Sequence, residues 1–301
     1  MDAVMEYFID EYETLHDCTL SEEDLDTIAK KFQKLYVTRD LYKIYNKFLE
    51  ENGYPMLPDV PQEKRVLAYE DVYPLLYLKY RLCRVRDHKN IKHLVIDEMQ
   101  DYSYLQYLIL RQMFNCRMTI LGDRAQTMEE RNHDVLEFLP GIFGKDMRKI
   151  ILNKSYRNTV EIAEYANRTA GIRDMEIFQR HGKEVEEKKL DGKEEAVEEI
   201  FKNLALGSKG YETAALLTMS EEEALEVYKN LREKEIPAFY VDRNSSSFKK
   251  GLTVTTFYLA KGLEFDQVFV LARKKKTPLL IQAEYICATR ALHELYVYEC
   301  L

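Results

Sequence analysis

The sequence predicts an α/β protein built on parallel strands, preceded by a helical N-terminal region. Three observations carry this. Short apolar runs alternate with helix-patterned stretches from residue 93 onward. Residues 1 to about 50 place apolar positions at helical spacing. A Pro/Gly-rich break, NGYPMLPDVP, closes that first region.

In the N-terminal region, LDTIAKKFQKLYVTRDLYKIYNKFLE reads as helix, and Ser21 with Asp24 resembles an N-terminal capping arrangement. After the break, YEDVYPLLYLKYRLCR reads as a further helix interrupted at Pro74. The expected strands are HLVID, MTIL, KIILN, TAALLT, PAFYV, LTVTTF, QVFVL and LYVYE. The texture breaks near residues 150–154, where NKSYRNTVEIAEYANRTA starts a helix. The expected domains are therefore 1–60, helical; 61–152, a first α/β group; and 153–301, a second. The Lys/Glu-rich stretch from Met175 to Glu199 reads as an exposed strand or loop followed by a solvated helix face.

With 301 residues and 46% hydrophobic content the chain can bury a substantial core. It contains no apolar run of about 18 residues, and its acidic start lacks the basic and apolar regions of a signal peptide, so a cytoplasmic location is expected. The five cysteines show no metal-ligand spacing and read as free thiols. A net charge of −8 argues against strong nucleic-acid binding by this chain alone, because such affinity rests largely on phosphate neutralisation. The basic clusters at Arg81 to Lys92 and Arg273 to Lys276 are local exceptions and read first as solvated surface.

The chemistry-bearing segments lie at the ends of the expected strands. HLVIDEMQD delivers two adjacent carboxylates, Asp97 and Glu98, to a strand's carboxyl end; Asp97 suits Mg²⁺, and Glu98 suits orienting and deprotonating an attacking water. TILGDRAQ repeats the pattern, with Gly122 for a tight turn, then Asp123 and Gln126, whose amide can accept from water and donate to a phosphate. In SYRN, Tyr156 can stack on a base while Arg157 reaches phosphate; the alternatives are core packing and a surface ion pair. In AKGLEFD, Gly262 permits close backbone approach and Glu264 can accept from a ribose hydroxyl. Arg290, in YICATRALHELYV, stands on a predicted helix before the last strand, where an arginine can stabilise charge on a transferred phosphoryl group.

DEMQD, GDRAQ, SYRN, AKGLEFD and ATRA resemble, in order, helicase motifs II to VI of the UvrD/Rep-like superfamily I group, over residues 66–301. The resemblance implies RecA-like domains, a partial 1A followed by a 2A without the 2B insertion, since only about 80 residues separate the motif IV helix from motif V. It implies ATP and Mg²⁺ as cofactors and DNA as partner. It gives Asp97 and Glu98 as the Walker B pair, Gln126 as the link between nucleotide and nucleic acid, and Tyr156 as the adenine-stacking ring. Arg157 and Arg290 would contact the γ-phosphate, and Glu264 the ribose.

Four departures stand beside it. No G-x-x-x-x-G-K-[ST] run occurs, so the Walker A half would have to be supplied as a missing partner; GSKGYE near Gly207 lacks the spacing. TMEERNHD follows Gln126 where the family carries aromatic stacking residues, and Glu129 and Arg131 do not replace them. Tyr258 and Leu259 stand where motif V begins with His and a small residue; Tyr258 stacks on a base or simply packs. Finally, the 2B insertion is missing. LAKGLEFD, DEMQDYSYLQ and that missing insertion resemble the HelD-type branch, whose members act on bacterial RNA polymerase and carry Walker A in long N-terminal parts. The competing expectation is a non-catalytic module that docks on RNA polymerase or another protein.

Overall fold

The computed structural model describes residues 2–35, 38–83, 88, 90–126, 135–144, 147–207, 210–245 and 249–300. The chain divides into two compact units, one of residues 1–92 and 105–116, the other of residues 93–104 and 117–301.

The first unit is helical, with α1 (Asp2–His16), α2 (Glu22–Leu35), α3 (Leu41–Glu51), α4 (Tyr69–Leu82) and most of α5 (Tyr104–Met113). The expected capping arrangement is present and reciprocal: the Asp24 amide donates to Ser21 Oγ, and Ser21 N and Oγ donate to the Asp24 carboxylate. The Pro-rich break is fixed rather than loose. Arg65 makes a two-pronged contact with Asp40, the N-cap of α3, at 2.9 and 2.6 Å and lies over the Tyr42 ring. Asn46 exchanges two hydrogen bonds with Leu57. Helix α4 runs through Pro74 without ending there.

The second unit holds a six-stranded sheet, all parallel, in the order β5-β10-β9-β6-β8-β7. Its strands are β5 (Glu186–Leu190), β6 (Thr213–Thr218), β7 (Ala238–Tyr240), β8 (Gly251–Thr256), β9 (Phe265–Arg273) and β10 (Ala291–Cys300). The apolar runs TAALLT and QVFVL are continuous because both faces are covered. On one face Ala215, Leu217, Val268 and Val270 pack with Ile162 and Tyr165 of α7 (Val160–Ala170) and Ile286 of α10 (Pro278–Thr289). On the other, Ala214, Leu216 and Phe269 meet Val197 and Ile200 of α8 (Lys193–Asn203) and Val227 and Leu231 of α9 (Glu221–Glu233). Alternate residues of one strand thus feed two cores, each fully buried Leu, Val, Ile or Phe side chain contributing about 1.5–3 kcal/mol.

Two smaller parallel pairs complete the unit: β1 (His93–Ile96) with β2 (Arg117–Ile120), and β3 (Lys154–Ser155) with β4 (Glu176–Ile177). A short helix, α6 (Val135–Phe143), follows β2. The expected strand KIILN is not formed. Ile150, Ile151 and Leu152 are 68, 71 and 83% exposed and enter no ladder, so β-propensity there has no neighbouring edge to act on.

Gly122, after β2, serves close approach rather than a positive-φ turn. A Cβ there would stand 2.4 Å from Met99 Cγ and 2.7 Å from the Met99 backbone nitrogen, which is itself held by the Leu121 carbonyl. Glu161 in the first turn of α7 accepts from His181 Nδ1 and Gly182 N, both at 2.9 Å. Burial alone would raise its pKa, but backbone hydrogen bonds and His181 bring it from 4.5 down to about 2.

Two outcomes follow for stability. Gly122→Ala should cost about 1–3 kcal/mol, read as a fall of several degrees in thermal melting, since backbone cannot yield as a flexible side chain does; an unchanged melting point would contradict the close approach. Glu161 has a depressed folded pKa, so its contribution is present above about 4.5 and is lost as pH falls through about 2. The stability gap between wild type and Glu161→Gln in denaturant melts should therefore be wide near neutral pH, narrow below about 4.5 and close below about pH 2; a gap independent of pH would refute the assignment.

Candidate functional site

Five sequence segments converge within the second unit. Asp97 and Glu98 follow β1, and the Gly122–Gln126 turn follows β2, so both stand at carboxyl ends of the two-stranded sheet. Glu264 directly precedes β9, and Arg290 precedes β10, so these stand at amino ends of the six-stranded sheet, where the Phe265 amide donates to the Arg290 carbonyl.

Glu98 adopts a left-handed backbone, φ 53° and ψ 50°, unusual for a residue with a side chain and characteristic of strained functional positions. The turn is held by Asp97 Oδ1, which accepts from the Glu98 amide at 2.8 Å, and by Gln100, whose amide donates to Glu98 Oε2 at 2.5 Å. Gln100 also accepts from Asp123 N. Asp123 is a node: its carboxylate accepts from Ala125 N, from Gln126 Nε2 at 2.9 Å and from the Tyr285 hydroxyl of α10 at 3.1 Å. Burial, followed by the Asp123 charge, pushes the Tyr285 hydroxyl pKa well up, so it stays a donor.

Arg290 caps α10 and is 2% exposed. Its guanidinium donates to Gln126 Oε1 at 3.1 Å, Thr289 Oγ1 at 3.0 Å and the carbonyls of Ile286 and Leu263 at 3.3 Å. Burial lowers its pKa, as does the like charge of Arg157, while Glu98 and Glu264 oppose the shift. Arg157 Nε pairs with Glu264 Oε1 at 2.7 Å, both side chains half-exposed. Tyr156 is exposed beside Phe178, ring centroids 5.7 Å apart. Gly262 has φ +81° and open space at its Cα, so it is needed for a left-handed turn and leaves room above the backbone.

Lys261, the residue before it, carries no role in the sequence reading. Its side chain is 7% exposed and its ammonium lies 2.6 Å from Asp101 Oδ1, 3.6 Å from Glu98 Oε2 and 3.3 Å from the Gln126 carbonyl. A signal exists, since AKGLEFD carries an unassigned lysine and DEMQD an unassigned aspartate, but nothing in either segment shows that they meet. Tyr285, Gln100 and Asn158 escape sequence reasoning in the same way, being ordinary residues of a helix or turn until paired.

Tyr258 does not join this group. It follows β8 at the carboxyl end of the large sheet, where its hydroxyl donates to Glu221 and Arg243 lies over its ring. Glu129 and Arg131 lie outside the described residues. Among the described residues no group of three or more His, Cys, Asp and Glu could hold a metal by itself. Asp97 is exposed, with Oδ1 accepting from the next amide, and a single carboxylate of this kind suits Mg²⁺ only when phosphate oxygens and water complete the shell. No helix among the described residues is long and apolar enough to cross a membrane.

Comparison with known proteins identifies a matching family and similar chains. Residues 76–299 match the family described as the viral superfamily 1 RNA helicase core domain. The chain is 27% identical over 134 residues to the ATP-dependent DNA helicase Rep of Buchnera aphidicola subsp. Baizongia pistaciae (strain Bp), a match covering 42% of this chain and 18% of Rep. Among solved structures it is similar to the C-terminal domain of a possible DNA helicase from Lactobacillus plantarum WCFS1, at 23% identity and TM-score 0.41, covering 48% of this chain and 88% of that one. It is also similar to the PRRSV helicase, at 17% identity and TM-score 0.39, covering 69% and 35%. The chain thus spans less than a fifth of the Rep sequence that it matches. With the family matched over residues 76–299, the chain belongs to the superfamily 1 helicases, and part of it is similar to the DNA helicase Rep.

Proposed function

We propose that this chain forms the Walker B, motif III and arginine side of an ATP site in an ATP-dependent DNA helicase or translocase. The Walker A half is supplied by the remainder of the intact protein, and hydrolysis takes place in a cleft between two RecA-like domains. One observation carries the reading: the buried guanidinium of Arg290 rests on the amide of Gln126, with Arg157 close enough to depress its pKa. Two arginines gathered beside a glutamine and a strained carboxylate suit a transferred phosphoryl group better than a structural ion pair.

In this reading ATP with Mg²⁺ supplies the transferable phosphoryl group and its charge screening. Asp97 holds the cation side of the site. Glu98, fixed by its left-handed turn and by Gln100, orients water and takes its proton. Arg157 and Arg290 exchange Glu264 and Gln126 for γ-phosphate oxygens, and this exchange releases Gln126 to report nucleotide state. Glu264, freed in the same step, accepts from ribose, below Gly262. Tyr156 offers its exposed ring to adenine. Tyr258, at the other end of the sheet, is the candidate for nucleic-acid stacking. DNA as partner is supported by the Rep relative, whereas the matched family is described by RNA.

In the intact protein, Glu98→Gln should keep nucleotide affinity and lose hydrolysis, because the amide fills the space without accepting the proton. Phosphate release beside a binding titration checks this, and wild-type turnover would remove Glu98 from the mechanism. For Arg290→Ala, kcat should fall about 10³-fold, with nucleotide affinity affected far less. Arg290→Lys should recover only part of the loss, since an ammonium lacks the planar fork. Turnover within about twofold of wild type, in a variant of unchanged melting point, would overturn the catalytic reading and leave a non-catalytic docking module in its place.

A further inference from the structure

Arg180 lies outside every segment that suggested chemistry, in the connection between β4 and β5. Its carbonyl accepts from Val160 N, the first residue of α7, at 2.9 Å. Its guanidinium donates through one terminal nitrogen to two main-chain carbonyls, that of Arg157 and that of Leu292 at 2.9 Å. Its Nε is buried with no hydrogen-bond partner. No carboxylate pairs with it among the described ion pairs. A guanidinium spent on neutral carbonyls, with one donor unsatisfied, is a costly way to gain stability alone.

What it joins is specific. Leu292 lies two residues beyond Arg290, where the β9–β10 ladder slips by one residue between Ala291 and Glu294, and a bulge there leaves a carbonyl to be taken from outside the ladder. Asn158, 5% exposed, makes a second tie. Its amide donates to the carbonyls on either side of Arg290, those of Thr289 at 3.4 Å and Ala291 at 2.7 Å. The neighbouring chain is pressed against the same place: a Cβ on Gly182 would stand 2.6 Å from Thr159 Cγ2.

We propose that Arg180 is a positioning residue that sets the separation of Arg157 and Arg290 by binding the main chain of both segments, with Asn158 as the second tie. The proposal rests on the reading of these two arginines as phosphate ligands. It explains why the bulge sits beside Arg290 and why a partly buried guanidinium is spent on two main-chain carbonyls. A guanidinium can span two carbonyls in one plane; an ammonium on a flexible stem cannot hold both in fixed geometry.

The test uses the intact protein, with Arg157→Ala, Arg290→Ala, Arg180→Ala, Arg180→Lys and the double variant Arg157→Ala/Arg180→Ala. Arg180→Ala should lower kcat on the order of 10- to 100-fold while KM for ATP stays within about threefold, because misplacement of phosphate ligands acts in the transition state. Arg180→Lys should fall between. In the Arg157→Ala background the Arg180→Ala change should cost about twofold or less, whereas general loosening would cost the same factor in both backgrounds. Amide exchange in the 301-residue chain should rise at residues 157–160 and 289–293 in Arg180→Ala and stay unchanged in β6 and β8. If Arg157→Ala and Arg290→Ala impair turnover but Arg180→Ala and Arg180→Lys do not, Arg180 does not position them. Equal loss in both backgrounds overturns it as well. If neither arginine variant impairs turnover, the phosphate reading itself fails, and the exchange experiment still decides whether the tie exists. Should Arg180→Ala not fold, Arg180→Lys carries the comparison, and a wild-type kcat there overturns the proposal.

Discussion

A guanidinium withdrawn from water is the constraint around which the site is organised. Arg290 is almost wholly buried, and a charge so placed is tolerated only when its donors are occupied. Its partners come from three places: the last turn of its own helix, the Leu263 carbonyl just before β9, and the side chain of Gln126 after β2. Satisfying one side chain thus requires three chain segments to meet. The meeting is reinforced one turn earlier on the same helix, where Tyr285 donates to Asp123, the residue that also holds the Gln126 amide. Helix α10 therefore touches the GDRAQ turn through two hydrogen bonds, and both end on the same glutamine–aspartate pair.

The sheet order explains how such distant segments arrive together. After β8 the chain crosses β6 to reach β9, and the crossing is made by residues 257–264 without a helix. Tyr258 consequently stays at the carboxyl end of the sheet while Glu264 reaches its amino end. Lys261 sits midway, buried, with its ammonium on Asp101 and near Glu98. The positive φ at Gly262 lets this connection turn immediately after Lys261. A single short segment therefore links the candidate base-stacking tyrosine, a lysine on the Glu98 turn and the glutamate paired with Arg157.

The large sheet was legible in the sequence because its central strands are buried on both faces and so write themselves as nearly continuous apolar runs, TAALLT and QVFVL, between amphipathic helices. The same rule misled at KIILN, where an apolar run of equal quality is exposed and unpaired. Apolarity reports what a strand needs, and only the fold reports whether a partner edge is present. In the site, residues with distinctive chemistry in short fixed spacings, such as Glu98, Gln126 and Arg290, could be named in advance. Gly122 could be named but not explained: its spacing suggested a turn, and the reason is the Met99 backbone. Residues that act through pairing could not be named at all. Asn158, Lys261 and Tyr285 gain their meaning from partners 131 or more positions away, and Arg180 from joining Arg157 to Leu292, 23 and 112 positions away, separations that no local pattern can bridge.

The electrostatics of the site point to exchange rather than to simple addition of a ligand. Among the described residues the cations of the site are already occupied: Lys261 by Asp101 and Glu98, Arg157 by Glu264, and Arg290 by Gln126 and carbonyls. A polyphosphate reaching Arg157 must therefore displace a carboxylate, and reaching Arg290 must displace an amide, so part of the attraction goes into breaking contacts already made. That cost is the physical means by which such a site can remain poised. The displaced groups, Glu264 and Gln126, are the ones attached to the two chain segments that lead toward the rest of the unit, one through β9 and the Lys261 connection, the other through the loop after β2. On the proposed reading, occupancy would change partners on two segments at once, since Arg157 holds Glu264 and Arg290 holds Gln126 in the absence of phosphate.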